Sequence, residues 1–545
     1  MPPKNYKKIL LSGNELTISD VASVARQETK VHLSPKVLKK INLSLSIVKK
    51  AVKNKTRLYG VTTGFGKHAN FFLENSGDAE KLQENVITSH IVSVGDYLDE
   101  EITRAVMLLR ANTLAKGYSG VRPELIQRLI NLINARINPL IPEKGSVGAS
   151  GDLSPLAYMT LPLIGKGKVL FRNKIMDAKT ALRKVKINPN FKLSYKEGIA
   201  LTNGTSVMTA IGSLTYYDAL NLIKAIDITA ALSLESVCGK TRAFDEKLHR
   251  VRPFYGQMAC ADNIRKLIKG SSLIDSGNQV QDSYSIRCIP QVHGASWEAL
   301  EYVRKVLETE LNSVNDNPLL FAYDRKNPPL DGKIEKEDYS GGNFHGQPLS
   351  IAMDLLGMAL AQLGNISERR IQKLLDENHS QGLPSNLIEG PGLNSGLMIA
   401  QYTAAALVSE NKILAHPACV DSIPTSANVE DFVSMGTIAA RKARQILENV
   451  RNIVAIELLC ATQALDFRMG RLKIQNQNNP NSKINGKPGR GTLSAYNLIR
   501  KYVKPLKADR ELDQDINNVR ELIKSEKLTK EVEKTVGKLY SYKNK

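Results

Sequence analysis

Long stretches of this chain repeat apolar residues at helical spacing on more than one face, and a helix that is apolar nearly all round is stable only inside a core or a bilayer. The richest run follows Gly204, through VMTAIGSLTYYDALNLIKAIDITAALSLESV. A second follows Phe344, through HGQPLSIAMDLLGMALAQLGNISERRIQKLLDE, with Leu356, Leu360 and Leu363 on one stripe. Two more begin near Asn394-Ser395 and near Ser426-Asn428, the latter continuing past Ile453 to Leu465. No apolar stretch runs unbroken for the roughly 20 residues a bilayer requires, so these runs are expected to be core helices of a bundle. A shorter amphipathic helix is expected over residues 123–136, PELIQRLINLINAR, which opens with Pro at the first helical position. The expected fold is mainly α. Residues 1–202 form a mostly helical N-terminal domain that carries the catalytic loops, 203–470 the long-helix core, and 471–545 a linker and helical tail. The polar stretch 474–491, IQNQNNPNSKINGKPGRG, reads as an exposed loop.

Composition narrows the class. A chain of 545 residues exceeds what one core serves, so two or three packed units are expected. The five cysteines are scattered with no CxxC pair, which suggests reduced thiols and the cytoplasm. The opening MPPKNYKKILLSGNELTISD has only a three-residue apolar run, too short for a secretory signal. The eight histidines show no HxxxH or HExxH spacing, so no metal site is expected. A net charge of +21 is compatible with nucleic-acid binding, yet the lysines are dispersed and aromatics are only 6% of the chain. A solvated basic surface is expected, with neither nucleic acid nor membrane as partner.

The loops carry the chemistry. Ala149-Ser150-Gly151 lies in GSVGASGDLSPLAYM, residues 145–159. Taken alone it reads as a loop, with Ser154 capping a helix from Pro155. It is also the raw material for an electrophile: if the Gly151 nitrogen turns onto the Ala149 carbonyl, ring closure and loss of two waters leave a methylidene-imidazolone. Gly145, Gly148 and Gly151 permit the close backbone approach this demands, and Asp152 stands next in line to assist proton movement. In RLYGVTTGFGKHAN, residues 57–70, Tyr59 precedes three glycines of a lid-like loop, although a lone Tyr there is usually structural. His90 ends a helical pattern, and alone it reads as an ordinary core or surface imidazole. Arg287, in VQDSYSIRCIPQ, offers a fork that matches a carboxylate, and Asn203 reads as a helix cap. In AHPACVDSIPTSANVEDFVSM, residues 415–435, Glu430 supplies a carboxylate able to accept from an imidazole N–H. Polar-capped helix starts are expected at 149–155, 203–206, 342–344, 394–395 and 426–430. Several aimed at one cavity would stabilise anions, including a phenolate.

GSVGASGDLSPLA, YGVTTGFG, LTNGTS and GGNFHGQP together resemble the signatures of the aromatic amino acid ammonia-lyases and aminomutases, over roughly residues 15–470. The resemblance implies that Ala149, Ser150 and Gly151 mature into 4-methylidene-imidazol-5-one with no external cofactor, and that Tyr59 is the base. It implies that Arg287 holds the substrate carboxylate, Tyr284 is a second proton-handling phenol and Gln281 is a polar wall. Asn203 and Phe344 match residues that position the electrophile and its surroundings. His90 stands where histidine-acting and several tyrosine-acting members carry His. Val429-Glu430-Asp431 resembles the Gln-Glu-Asp of histidine-acting members, and Met398 stands where plant phenylalanine lyases place Lys. NFHGQP and SVNDNP are closer to tyrosine-acting lyases and aminomutases, Phe432 replaces a His usual in histidine-acting members, and GKPGRGT is not typical of the best-known bacterial histidine enzymes. The activity implied is elimination of ammonia from L-histidine to give trans-urocanate, by a homotetramer whose sites are each built from three subunits. The alternatives are a tyrosine or phenylalanine lyase, a 2,3-aminomutase, or a structural homologue without catalysis.

Overall fold

Proline at its first position opens the Pro123–Ala135 helix, and Arg136 ends it in the left-handed region at φ 54°. The computed structural model describes residues 8–73, 75–321, 338–474 and 484–540, which form nineteen α-helices and a few short strands. Four helices are long: Ser206–Ser236, Ile289–Leu311, Gln347–Leu375 and Gly436–Arg468. In the first, every residue is buried except Tyr217, Leu220, Asn221 and Lys224, which are half-buried. Leu356, Leu360 and Leu363 are fully buried, as their shared stripe requires. The Gln347–Leu375 helix does have the length and hydropathy to cross a bilayer, contrary to the sequence reading; 72% of its apolar window is buried inside the protein, as in a core helix.

Several helix starts differ from expectation, each for a local reason. The run expected from Ser426 begins at Gly436, because Ser426, Ala427 and Asn428 all take positive φ (52°, 53° and 65°) and form a single tight turn. The run expected from Asn394 begins at Met398, after three glycines with positive φ at 390, 392 and 396. That helix also departs from the expected core role, since only Ala400, Ala404 and Asn411 of its 17 residues are buried. The helix assigned to Pro155 starts at Leu153, and Ser154 does not cap it: its hydroxyl bonds Ser93 Oγ at 2.7 Å. Part of the loop expected at 474–491 lies outside the described residues.

The chain divides into two units with boundaries other than the three consecutive segments expected. One comprises Met1–Tyr217, Arg304–Asp354 and Pro417–Arg441; the other comprises Asp218–Val303, Leu355–His416 and Lys442–Lys545. Every long helix contributes residues to both, so helix ends in sequence are not unit boundaries. In the first unit, strand Val94–Tyr97 pairs antiparallel with Pro142–Lys144, which tethers the chain immediately before Gly145.

In the second unit, Glu235 is buried and accepts from the Gly489 amide at 2.8 Å, just ahead of the Arg490–Arg500 helix. Burial pushes its carboxyl up to about 7. A carboxyl raised on folding stabilises the protein below its unfolded value of 4.5 and loses that contribution as pH rises through about 7. Glu235→Gln keeps the shape and an acceptor for Gly489 but cannot ionise. The variant is expected to melt higher than the parent at pH 8, by the equivalent of about 1–3 kcal/mol, with the advantage gone near pH 5. Thermal midpoints at the two pH values check this.

Candidate active site

Positive φ at Gly148 (77°), Ser150 (50°) and Gly151 (83°) folds the loop back on itself. A Cβ on Gly151 would sit 2.1 Å from the Gly204 carbonyl oxygen, so only glycine fits. Gly204 clamps the tripeptide from the other side. Its amide donates to the Ser150 carbonyl at 3.1 Å, and its carbonyl accepts from the Asp152 amide at 2.8 Å. The Gly151 amide points to the Gly148 carbonyl at 3.4 Å. Asp152 is fully buried. Its Oδ2 accepts from the Val207 and Met208 amides at 2.9 and 3.0 Å, at the start of the Ser206–Ser236 helix. Its Oδ1 accepts from Thr437 and, at 3.3 Å, from Ser146. Burial outweighs these bonds and pushes the carboxyl up to about 6.

Ser150 opens onto a cavity of about 450 Å³ whose walls include Tyr59, Lys67, His90, Asn203, Ser426 and Glu430. The Ser150 hydroxyl donates to Glu430 Oε1 at 3.5 Å, and Glu430 Oε2 accepts from the Thr425 hydroxyl at 3.1 Å. Residues 425 and 430 pair through both backbone amides, closing the strained turn at Ser426–Asn428 and aiming Glu430 inward. The Tyr59 hydroxyl oxygen accepts from the Gly66 amide at 2.9 Å. Burial raises the Tyr59 phenol above its ordinary value, the Gly66 bond opposes this, and Glu430 adds to it. Burial lowers the His90 imidazole, while Glu430 pulls it upward. Asn203 Oδ1 is buried without a hydrogen-bond partner, in the same cavity wall.

Arg287 and Gln281 line a different cavity, of about 810 Å³, within the second unit. Arg287 Nη1 donates to Gln281 Oε1 at 2.7 Å, and its guanidinium lies 4.7 Å from the centre of the Tyr284 ring. Tyr284 itself is 70% exposed. Phe344 lies half-buried in the turn before the Gln347–Leu375 helix, and Met398 begins the Met398–Leu414 helix; neither lines either cavity. The structure therefore brings Tyr59, His90, Asn203, Ser150 and Glu430 together, and groups Gln281, Tyr284 and Arg287 elsewhere. Of the five segments expected as helix starts, three border the Ser150 cavity: those at Leu153 and Ser206, through Leu153 and Asn203, and the 426–430 turn, through Ser426 and Glu430.

A further grouping was invisible to linear spacing. In the second unit Asp227, Cys260 and His293 are buried with their possible ligand atoms within 4.8 Å of one another. Asp227 Oδ1 accepts from His293 Nδ1 at 2.7 Å and from the Cys260 thiol at 3.2 Å. Arg370 faces His293 Nε2 at 3.4 Å, and a guanidinium only donates, so the ring carries its proton on Nδ1. The three form a hydrogen-bonded core network.

The family model described as aromatic amino acid lyase matches residues 16–501. The chain belongs to the aromatic amino acid lyase family. A protein of Caldanaerobacter subterraneus subsp. tengcongensis named histidine ammonia-lyase is 50% identical to this family member, over 95% of this chain and 97% of its own length. Among solved structures, histidine ammonia-lyase from Trypanosoma cruzi aligns at TM-score 0.85 with 37% identity, covering 97% of this chain and 96% of that one. Tyrosine aminomutase from Streptomyces globisporus aligns at TM-score 0.88 with 36% identity, covering 98% and 100%. Around Ser150 and Glu430, this lyase-family chain also places residues that sequence reasoning missed. The left-handed turn at Ser426–Asn428 carries no Gly or Pro to mark it. Thr437 had no local signal at all, and Ser146 had only its place between Gly145 and Gly148.

Proposed function

We propose that the chain is a histidine ammonia-lyase, converting L-histidine to trans-urocanate and ammonia, with the tripeptide at 149–151 maturing into methylidene-imidazolone. The observation that carries this reading is one cavity holding Ser150, Tyr59, His90 and a carboxylate, Glu430, within 3.5 Å of the Ser150 hydroxyl. Close relatives named histidine ammonia-lyase support the substrate. The residues present fit the matured group: Gly151 and Gly204 leave no room for a Cβ, and Asn203 offers an unpartnered buried oxygen beside it. Once formed, the group would supply an electrophilic alkene, the chemistry that turns an amine into a better leaving group.

The chain's own residues then divide the work. Tyr59 removes the β-proton, its oxygen steadied by the Gly66 amide. Glu430 and His90 read the imidazole, the carboxylate by accepting from a ring N–H. Asn203 positions the tripeptide region, and Asp152 serves its maturation. Burial and Glu430 both oppose ionisation of Tyr59; Lys67 is a cation in its cavity wall, and no arginine lines that cavity among the described residues. A guanidinium fork from a second subunit answers the substrate carboxylate and joins Lys67 in favouring the phenolate. We assign that role to Arg287 of a second subunit, with Gln281 and Tyr284 beside it, and place Phe344 and Met398 as walls completed in the same assembly. The Met398–Leu414 helix supports self-assembly, which we read as a homotetramer, because Ile399, Tyr402 and Ile413 are 56%, 59% and 74% exposed in the single chain. Five cysteines, none of them in a disulfide, support a reducing compartment, the cytoplasm.

Two experiments test this. Incubation with histidine, tyrosine and phenylalanine separately, followed by ultraviolet absorbance, is expected to give the conjugated product fastest from histidine; a β-amino acid product would identify an aminomutase instead. Sharing of sites is tested by mixing inactive subunits. Ser150→Ala and Arg287→Ala are each expected to be inactive alone, and their co-assembled mixture to recover a measurable part of parental activity. A mixture as dead as its components places both residues in the same subunit's site.

A further inference from the structure

Two hydroxyls that no motif singled out converge beneath the tripeptide. Thr437, buried in the first turn of the Gly436–Arg468 helix, donates to Asp152 Oδ1 and lies 3.1 Å from Ser146 Oγ. Ser146 Oγ lies 3.3 Å from both Asp152 Oδ1 and the Gly151 carbonyl oxygen, and accepts from the Gly148 amide at 3.2 Å. One carboxylate oxygen, two hydroxyls and the backbone on both sides of Ala149-Ser150 thus form a single cluster. Asp152 Oδ2 is already occupied by two amides of the Ser206–Ser236 helix. Only Oδ1 is left to face the loop, and these two hydroxyls decide where it points.

We propose that Ser146 and Thr437 are positioning residues for maturation of Ala149-Ser150-Gly151, holding Asp152 Oδ1 and the Gly151 carbonyl together so that the loop is folded back before the ring closes. The proposal rests on the reading that this tripeptide cyclises. In that reaction the Gly151 nitrogen bonds to the Ala149 carbonyl carbon, and its proton passes to the Ala149 oxygen. The resulting hydroxyl leaves with the Ser150 amide proton as one water, forming the C=N bond. The Ser150 hydroxyl leaves with the Ser150 Cα proton as the second, forming the exocyclic C=C bond. Atoms and electrons balance without oxidant or reductant. Asp152, raised by burial to about 6, takes up and returns a proton near neutrality with no net change. Prior folding of the loop replaces an entropic search by a near-attack arrangement.

The test follows intact mass against time after synthesis, in the full chain, for the parent, Thr437→Val, Thr437→Ser and Ser146→Ala. The parent is expected to lose two waters. Thr437→Val and Ser146→Ala are expected to mature about tenfold more slowly or worse, with chains lacking one water or none accumulating, while Thr437→Ser stays within about twofold of the parent. A merely structural threonine would not distinguish Ser from Val in this way. Parental maturation rates in Thr437→Val and Ser146→Ala, or maturation of Thr437→Ser as slow as that of Thr437→Val, overturn the proposal. If Thr437→Val fails to fold by circular dichroism, Ser146→Ala decides alone. A parent that loses no water overturns the cyclisation reading itself, an outcome distinct from a matured parent with unimpaired variants.

Discussion

Ser150→Ala is expected to fold, assemble and lose turnover of histidine by on the order of 10³-fold or more, about 4 kcal/mol of transition-state stabilisation. Alanine has no β-hydroxyl to expel, so no exocyclic alkene forms. The fold has little reason to suffer. The Ser150 hydroxyl makes one long bond, to Glu430 at 3.5 Å, whereas the Gly204 clamp uses only backbone atoms that alanine also has. Its φ of 50° is held by that clamp and by the glycines on either side. Steady-state kcat with a matched thermal melt separates the two effects. Near-parental kcat removes Ser150 from the chemistry.

Glu430→Gln carries the next largest effect and tests substrate choice. Glutamine preserves shape and the pairing of residues 425 and 430, which is backbone-borne, but removes the charge and weakens the acceptor. Turnover of histidine is expected to fall more than about tenfold, at least about 1.4 kcal/mol, while tyrosine or phenylalanine turnover falls less or rises. The same change should ease ionisation of Tyr59, because Glu430 is one cause of its raised value. Any base-limited step is therefore expected to shift to lower pH in the variant, opposite to the loss in histidine binding. Comparing kcat/KM for three substrates against pH resolves the two. An equal fall for all three contradicts the imidazole contact.

The helices were legible because their signal is local. Pro123, the Leu356, Leu360 and Leu363 stripe and the run after Gly204 each state a helix in a few residues. Candidate site residues were legible where glycines or motifs marked them, as at Tyr59, Gly151 and Asn203. Three features were not. The left-handed Ser426–Asn428 turn is imposed by the pairing of residues 425 and 430, a closure that no residue type in it announces. Thr437 meets Asp152 across 285 residues of sequence, so only the folded chain shows the contact. The Met398–Leu414 helix has a core-like pattern yet stays exposed, since apolar periodicity alone does not say what a face packs against.

Cyclisation is read out by the mass of the peptide containing residues 149–151, taken from the same preparation in which histidine turnover is measured. Active protein is expected to carry a peptide lighter by two waters, with the loss confined to Ala149-Ser150-Gly151. Active protein with that peptide at its unmodified mass would contradict cyclisation.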